Sequence, residues 1–203
     1  MGVILLLAAG AAQAVTIPSK SVVNPLTETV YAPANPDNAA GRIRVYQRTE
    51  NIIKGWKEET GKTIYMPSPT AKIFGLAVSA DGTKLYVSVS NAYLSKLRVI
   101  NLDASGLPTG SAPYFDYTDA SWTAGTYDSP TGLAVAENPA SGKERVYMTD
   151  SANQIHYFDQ NPDGSWSLTG NVTEGLTGMG NIYDVVIGPV QQIAPKEHSP
   201  GVT

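Results

Sequence analysis

The sequence predicts an all-β chain assembled from a repeated unit of four short antiparallel strands, on three observations: an internal echo, apolar runs too short for helices, and turn residues at regular intervals. Gly75-Leu76-Ala77-Val78 returns as Gly132-Leu133-Ala134-Val135, and Leu85-Tyr86-Val87-Ser88 as Val146-Tyr147-Met148-Thr149. Lys96-Leu97-Arg98-Val99-Ile100 then returns as Gln154-Ile155-His156-Tyr157-Phe158, so three anchors recur in one order at nearly one period. The middle anchor is displaced slightly further than the other two. Its extra residues fall in Asn138-Pro139-Ala140-Ser141-Gly142, a turn composition that accepts insertion. The apolar runs are short, rich in Val, Ile, Tyr and Leu, and separated by Asp-Gly, Asn-Pro-Asp-Gly or Ser-Gly. That pattern marks short antiparallel strands joined by hairpins.

The elements follow in order. In a first, partial unit, Thr29-Val30-Tyr31-Ala32 and Arg42-Ile43-Arg44-Val45-Tyr46 precede the Tyr86 and Leu97 anchors by almost the same interval. In the second unit the spacing predicts strands at Phe74 to Ser79, Lys84 to Val89 and Lys96 to Asn101, with a weaker one near Tyr114 to Tyr117. In the third they fall at Leu133 to Ala136, Glu144 to Thr149, Gln154 to Asp159 and Ser165 to Thr169, and a fourth unit begins at Ile182 to Ile187. A four-stranded sheet recurring at a fixed period, its faces buried by its neighbours, is the blade of a β-propeller. Gly-Leu-Ala-Val, small and apolar on both faces, suits the innermost strand, and Trp56 and Trp166 would fill the wider space between outer strands. About three blades are present, near residues 28–68, 70–125 and 127–175, with a remnant at 181–190 inside a propeller region of 15–190 and a Pro-rich tail at 191–203.

The stretches SPTGLAV, ERVYMTDSANQIHYFD and GLAVSADGTKLYVS resemble the repeats of the regucalcin and gluconolactonase group and of the NHL and YVTN propellers, over about residues 28 to 188. The resemblance implies the propeller fold more than an activity, because such blades serve lactonases and binding scaffolds alike. The lactonase group holds a divalent cation with oxygen ligands from loops entering the innermost strands. Here the family's Asn position reads Thr131, within Pro130-Thr131-Gly132; the preceding unit has Phe74, and the following remnant Tyr183 or Asp184. Since a hard cation needs oxygen donors, the resemblance implies a lactonase metal site only if absent blades complete it.

Composition excludes several classes. The 203 residues are 42% hydrophobic and 16% charged with net charge −4, ordinary for one soluble globular domain, and the 14 Lys and Arg are scattered, which argues against nucleic acid. Absence of cysteine removes disulfides, zinc-thiolate sites and thiol nucleophiles. The apolar run Val3 to Ala9 followed by Ala12-Gln13-Ala14 reads as a signal peptide over residues 1–14, lacking only the usual leading cation; a buried strand or short anchor is the alternative, and the run is too short to span a membrane. A periplasmic or extracellular bacterial protein is expected. The sequon Asn171-Val172-Thr173 matters only in a source that glycosylates.

Catalytic signatures are missing: no G-x-S-x-G, no P-loop, no G-x-G-x-x-G and no paired zinc histidines. His156 reads as a hydrogen-bonded residue at a sheet edge, His198 as a solvated tail residue, and Glu58-Glu59 as a solvated turn. The loops entering the first strand of each unit and those joining its second and third strands gather at one end. They offer Asp128, Tyr183 and Asp184, and Asn35, Asp37, Asn91, Tyr93, Asp150 and Asn153. From these, Asp128, Asp150, Asn153, Tyr183, Asp184 and Tyr93 are the candidate ligand-binding residues, suited to a polar partner; the competing account is that Asp150 and its neighbours form Asx turns. Three blades do not close a ring of the usual four to eight. Either the sequence belongs to a longer product, or a homo-oligomer completes the ring, or the arc docks on a partner. The expected function is an exported, noncatalytic scaffold for a protein or polymer ligand, with no catalytic residues and no cofactor; the alternative is a lactonase-like hydrolase using a divalent cation.

Overall fold

Among the described residues, runs of β-branched and aromatic residues between Gly-containing turns form three antiparallel sheets. The computed structural model describes residues 21–36, 39–49, 55–90, 95–122, 130–138, 140–152 and 154–172. The first sheet orders β1 (Val22–Val23), β2 (Val30–Ala34), β3 (Arg42–Arg48) and β4 (Trp56–Glu58), with β5 (Ile64–Tyr65) pairing with β3 as a fifth strand. The second orders β6 (Lys72–Val78), β7 (Lys84–Ser90), β8 (Ser95–Asn101) and β9 (Tyr117–Trp122). The third orders β10 (Pro130–Asn138), β11 (Lys143–Asp150), β12 (Ile155–Gln160) and β13 (Trp166–Val172). Among the described residues there is no α-helix, and no helix long and apolar enough to cross a membrane.

Turn chemistry sets the hairpins where the spacing predicted them. Between β6 and β7, Gly82 takes φ 69°, and Asp81 Oδ1 accepts hydrogen bonds from the Ser79 hydroxyl (2.6 Å) and the Thr83 amide (3.0 Å). Between β12 and β13, Gly164 takes φ 86° and Asp163 Oδ1 accepts from the Ser165 amide and hydroxyl. Three elements depart from expectation. The last strand of the second sheet begins at Tyr117 and not Tyr114, because residues 112–114 lie in a turn. The fifth strand and the 3-10 turn at Thr60–Lys62 carry too little periodicity to be read from sequence. His156 lies on β12, an internal strand flanked by β11 and β13, and not at an edge.

The sheets stack so that equivalent strands face one another: β6 lies against β10, and β9 against β13. One junction is built twice. Tyr31, Ile43 and Val45 of the first sheet pack on Leu85, Val87, Val89 and Ile100 of the second. Their counterparts one unit on, Tyr86, Leu97 and Val99, pack on Val146, Met148 and Phe158 of the third. All three donor positions are at most 2% exposed in both junctions, and each fully buried side chain contributes roughly 1.5–3 kcal/mol. Trp166 completes the second junction edge-on against Tyr86, with ring centroids 5.3 Å apart, as expected for an outer-strand tryptophan filling space between sheets.

Backbones approach closely where the small residues stand. A Cβ on Gly75 would lie 3.0 Å from the Leu133 Cβ and from the Ser88 Oγ, so β6 meets β10 only because position 75 has no side chain. Immediately before each repeated glycine the pairing slips by one residue: Phe74 is the extra residue between Ile73 and Gly75, and Thr131 between Pro130 and Gly132. The echo in sequence is therefore also an echo in backbone irregularity.

Candidate functional site

The first residues of β6, β8, β10 and β12 and the last residues of β7, β9, β11 and β13 lie at one end of their sheets. Of the candidate residues, Asp150 is described; Tyr93, Asp128, Asn153, Tyr183 and Asp184 lie outside the described residues, as do Asp37 and Asn91.

Asp150 closes β11 and is 1% exposed. Its Oδ1 accepts from the amides of Ala152 (2.9 Å) and Gln154 (2.8 Å), the Asx-turn arrangement. Its Oδ2 lies 2.7 Å from His156 Nε2, on a side chain only 5% exposed. Pairing of Met148 with His156 across β11 and β12 explains the meeting: Met148, Asp150, His156 and Phe158 share the face that looks toward the second sheet. The carboxylate fixes the ring's orientation, and the pair is a buried polar closure at the loop-bearing end of the junction.

The second sheet carries a different buried pair at the same place. Arg98, the counterpart of His156, donates to both oxygens of Asp119 at 2.8 Å, lies 3.8 Å from the Tyr117 ring centroid and has a side chain 4% exposed. Both junctions thus end in an ionisable pair within an apolar seam.

The positions compared with the lactonase ligands are occupied as follows. The Thr131 hydroxyl donates to Thr149 Oγ1 at 2.9 Å, and Phe74 is half-buried. β-Bulges at both positions re-aim a side chain relative to the regular pleat, so the chain places a bulge residue here in each unit while varying what it carries. Asn35 bridges sheets: its side chain donates to the Ile73 carbonyl (2.6 Å) and accepts from the Ile73 amide (2.8 Å). Among the described residues no group of three or more His, Cys, Asp or Glu side chains is placed to hold a metal ion.

Sequence reasoning did not single out Glu144, which ties the opposite end of the second junction. Its Oε2 accepts from the Tyr86 hydroxyl at 2.7 Å, its Oε1 accepts from the Ala80 amide at 2.9 Å, and Lys84 Nζ lies 3.6 Å away. Burial, reinforced by this carboxylate, pushes the Tyr86 phenol far above its usual value, so it stays a neutral donor. Burial likewise pushes Tyr31 up to about 12, and its hydroxyl donates to the Gly106 carbonyl of the next sheet. Aligning the units would have revealed Glu144 as an acid three residues before the Tyr anchor. No protein-family model, curated protein or solved structure matches this chain.

Proposed function

We propose that this chain is an exported, noncatalytic β-propeller scaffold that binds a protein or polymer through the loops gathered at one end of its sheets. The observation that carries the reading is the repetition of one junction, Tyr31, Ile43 and Val45 on the second sheet and Tyr86, Leu97 and Val99 on the third. Antiparallel four-stranded sheets stepped in this way, equivalent strand against equivalent strand, suit propeller blades. Sheet faces consumed by stacking leave loops as the surface available for recognition. The apolar segment ahead of Ala14 supports export. Phe74, which carries no oxygen donor where a ligand is expected in a lactonase, and Thr131, whose hydroxyl is turned to Thr149 Oγ1, favour binding over metal-dependent lactone hydrolysis.

The test is co-sedimentation of the chain from Val15 onward with peptidoglycan and with insoluble polysaccharides, alongside capture on immobilised extracellular proteins. Retention on one of these, weakened by Tyr93→Ala or Asp128→Ala, is the expected result. Retention on none, together with stoichiometric calcium uptake and hydrolysis of a sugar lactone, would replace this reading with the hydrolase.

A further inference from the structure

We infer that the polymer held by this scaffold is an acidic polysaccharide, its carboxylates received by Arg42 and Arg44 on the outward face of the first sheet. This rests on the reading of the chain as a polymer-binding scaffold and names the chemistry of the polymer.

Register sets the face. Arg42, Arg44, Tyr46 and Arg48 alternate along β3 and share one side of it, opposite Ile43 and Val45, which lie in the core. Pairing adds Tyr65 of β5 beside Arg42, Glu58 of β4 beside Tyr46, and Trp56 beside Arg48. On the other flank Val30 and Ala32 of β2 are already covered, so the open part of the face is β3 with β4 and β5. Arg42 is the first residue of β3, the third strand of its sheet as β8 and β12 are of theirs. It therefore stands at the loop-bearing end, beside the β2–β3 connection.

The three arginines on this face are unequally satisfied. Arg48 Nη1 donates to Glu28 Oε2 at 2.7 Å. Arg44, with a side chain 41% exposed, meets the Tyr46 phenol and has Glu58 Oε1 at 3.8 Å, too long for a hydrogen bond. Arg42 has no ion pair among the described residues, and its Nε is a buried donor without a hydrogen-bond partner. In the place of Arg44 the second sheet holds Arg98 on Asp119 at 2.8 Å, and the third holds His156 on Asp150 at 2.7 Å. The first sheet repeats the position without the close carboxylate. A buried donor left unpaired points to a missing acceptor. Two guanidiniums at alternate positions of one strand, roughly 6.5–7 Å apart along it, offer forks for two carboxylates in succession. Tyr65, 40% exposed beside Arg42, presents a ring against which a sugar ring can lie. Glu58 and Glu28, further along the face, repel a more densely charged chain. One carboxylate per sugar suits this row, whereas a nucleic acid backbone does not.

Biolayer interferometry of the intact chain on polygalacturonate, against the same polymer fully methyl-esterified, reads the outcome. The expected result is binding of the acid form alone, weakened by added salt. Arg42→Gln and Arg44→Gln each weaken it about tenfold with unchanged circular dichroism. Arg48→Gln, whose guanidinium Glu28 already holds, leaves it within about twofold. Glu58→Gln removes the carboxylate beside Arg44 and strengthens binding about threefold, a gain that no folding defect can imitate. Equal binding of the esterified polymer overturns the inference, as does a loss with Arg48→Gln as large as that with Arg42→Gln. Preference for polyphosphate or dextran sulfate over polygalacturonate overturns it as well. Retention on a neutral polysaccharide that is lost with Tyr93→Ala and indifferent to Arg42→Gln sinks the acidic site and leaves the scaffold reading standing. Retention on no polymer, neutral or acidic, sinks both.

Discussion

Glu144→Ala is expected to destabilise the fold by about 3 kcal/mol, the upper end of what stranding a buried donor costs. The Tyr86 hydroxyl donates to this carboxylate at 2.7 Å from a residue that is 0% exposed, and losing that acceptor costs roughly 1–3 kcal/mol. The Lys84 pair, at 3.6 Å with side chains 23% and 22% exposed, adds only about 0–1 kcal/mol. The Ala80 amide adds little, because Ala80 is exposed and water replaces the lost acceptor. Glu144→Gln keeps an acceptor for one donor and costs about 1 kcal/mol, and Tyr86→Phe, which leaves a partly solvated carboxylate behind, costs a similar amount. Urea unfolding followed by circular dichroism and tryptophan fluorescence measures this, since the Trp166 ring lies 5.3 Å from Tyr86 and reports on the same junction. With a slope near ~2 kcal/mol per molar urea, Glu144→Ala moves the midpoint down by about 1.5 M. In a double-mutant cycle with Tyr86→Phe the coupling is about 1–2 kcal/mol. A midpoint shift under about 0.3 M, or strict additivity, would show that the sheets are held by apolar packing alone and that this polar tie contributes nothing.

Three further outcomes are expected. Gly75→Ala should lower stability by about 1–3 kcal/mol in the same assay, because its Cβ would meet the Leu133 Cβ at 3.0 Å and the Leu133 nitrogen at 3.1 Å, a backbone-limited gap that cannot open locally; a neutral result would mean the two sheets slide freely. Asp150→Ala should cost about 3 kcal/mol by stranding His156 and two amides, while Asp150→Asn, which keeps the turn acceptor, should recover more than half of that; equal losses would show that only the His156 contact matters. Burial works to raise the Asp81 carboxyl, but hydrogen bonds from Ser79 and Thr83, with the charge of Lys84, outweigh it and bring the carboxyl from 3.8 down to about 2. The folded value lies below the unfolded one, so the stabilisation is full above about pH 4 and is lost as pH falls toward about 2. Discounted for exposure it is about 1 kcal/mol, and Asp81→Asn should flatten that part of the acid-unfolding profile, a profile identical to the parent's removing Asp81 as its source.

The second and third strands of the middle unit stand out in the sequence because burial acts on them from both sides. Leu85, Tyr86 and Val87 each point into one of two junctions and are 0% exposed, so nearly every position must be apolar and the run stands out. β5 was not legible: two residues pair with the N-terminal end of β3 and carry no period of their own. Tyr114 was read as strand because it is aromatic, yet it is 46% exposed in a turn, and the strand it precedes contains Thr118, Asp119 and Ala120. Hydrophobicity marks burial, and an outer strand buries little.

The loop-bearing end resisted reading for a different reason. Asp150 and His156 were each visible, as a turn acid and a strand histidine, but their pairing depends on hairpin register, which puts Met148 opposite His156 and so brings residue 150 beside it. The counterpart of this pair in the second sheet, Arg98 with Asp119, draws its acid from the following strand and not from the hairpin. Two units that share a backbone step, a bulge and a junction thus satisfy buried polar side chains with different partners. Sequence identity between repeats follows the positions where packing permits one answer, such as Gly75 and Gly132. It fades where polar side chains can satisfy each other in several ways, and those are the places beside the loops where a recognition function would be encoded.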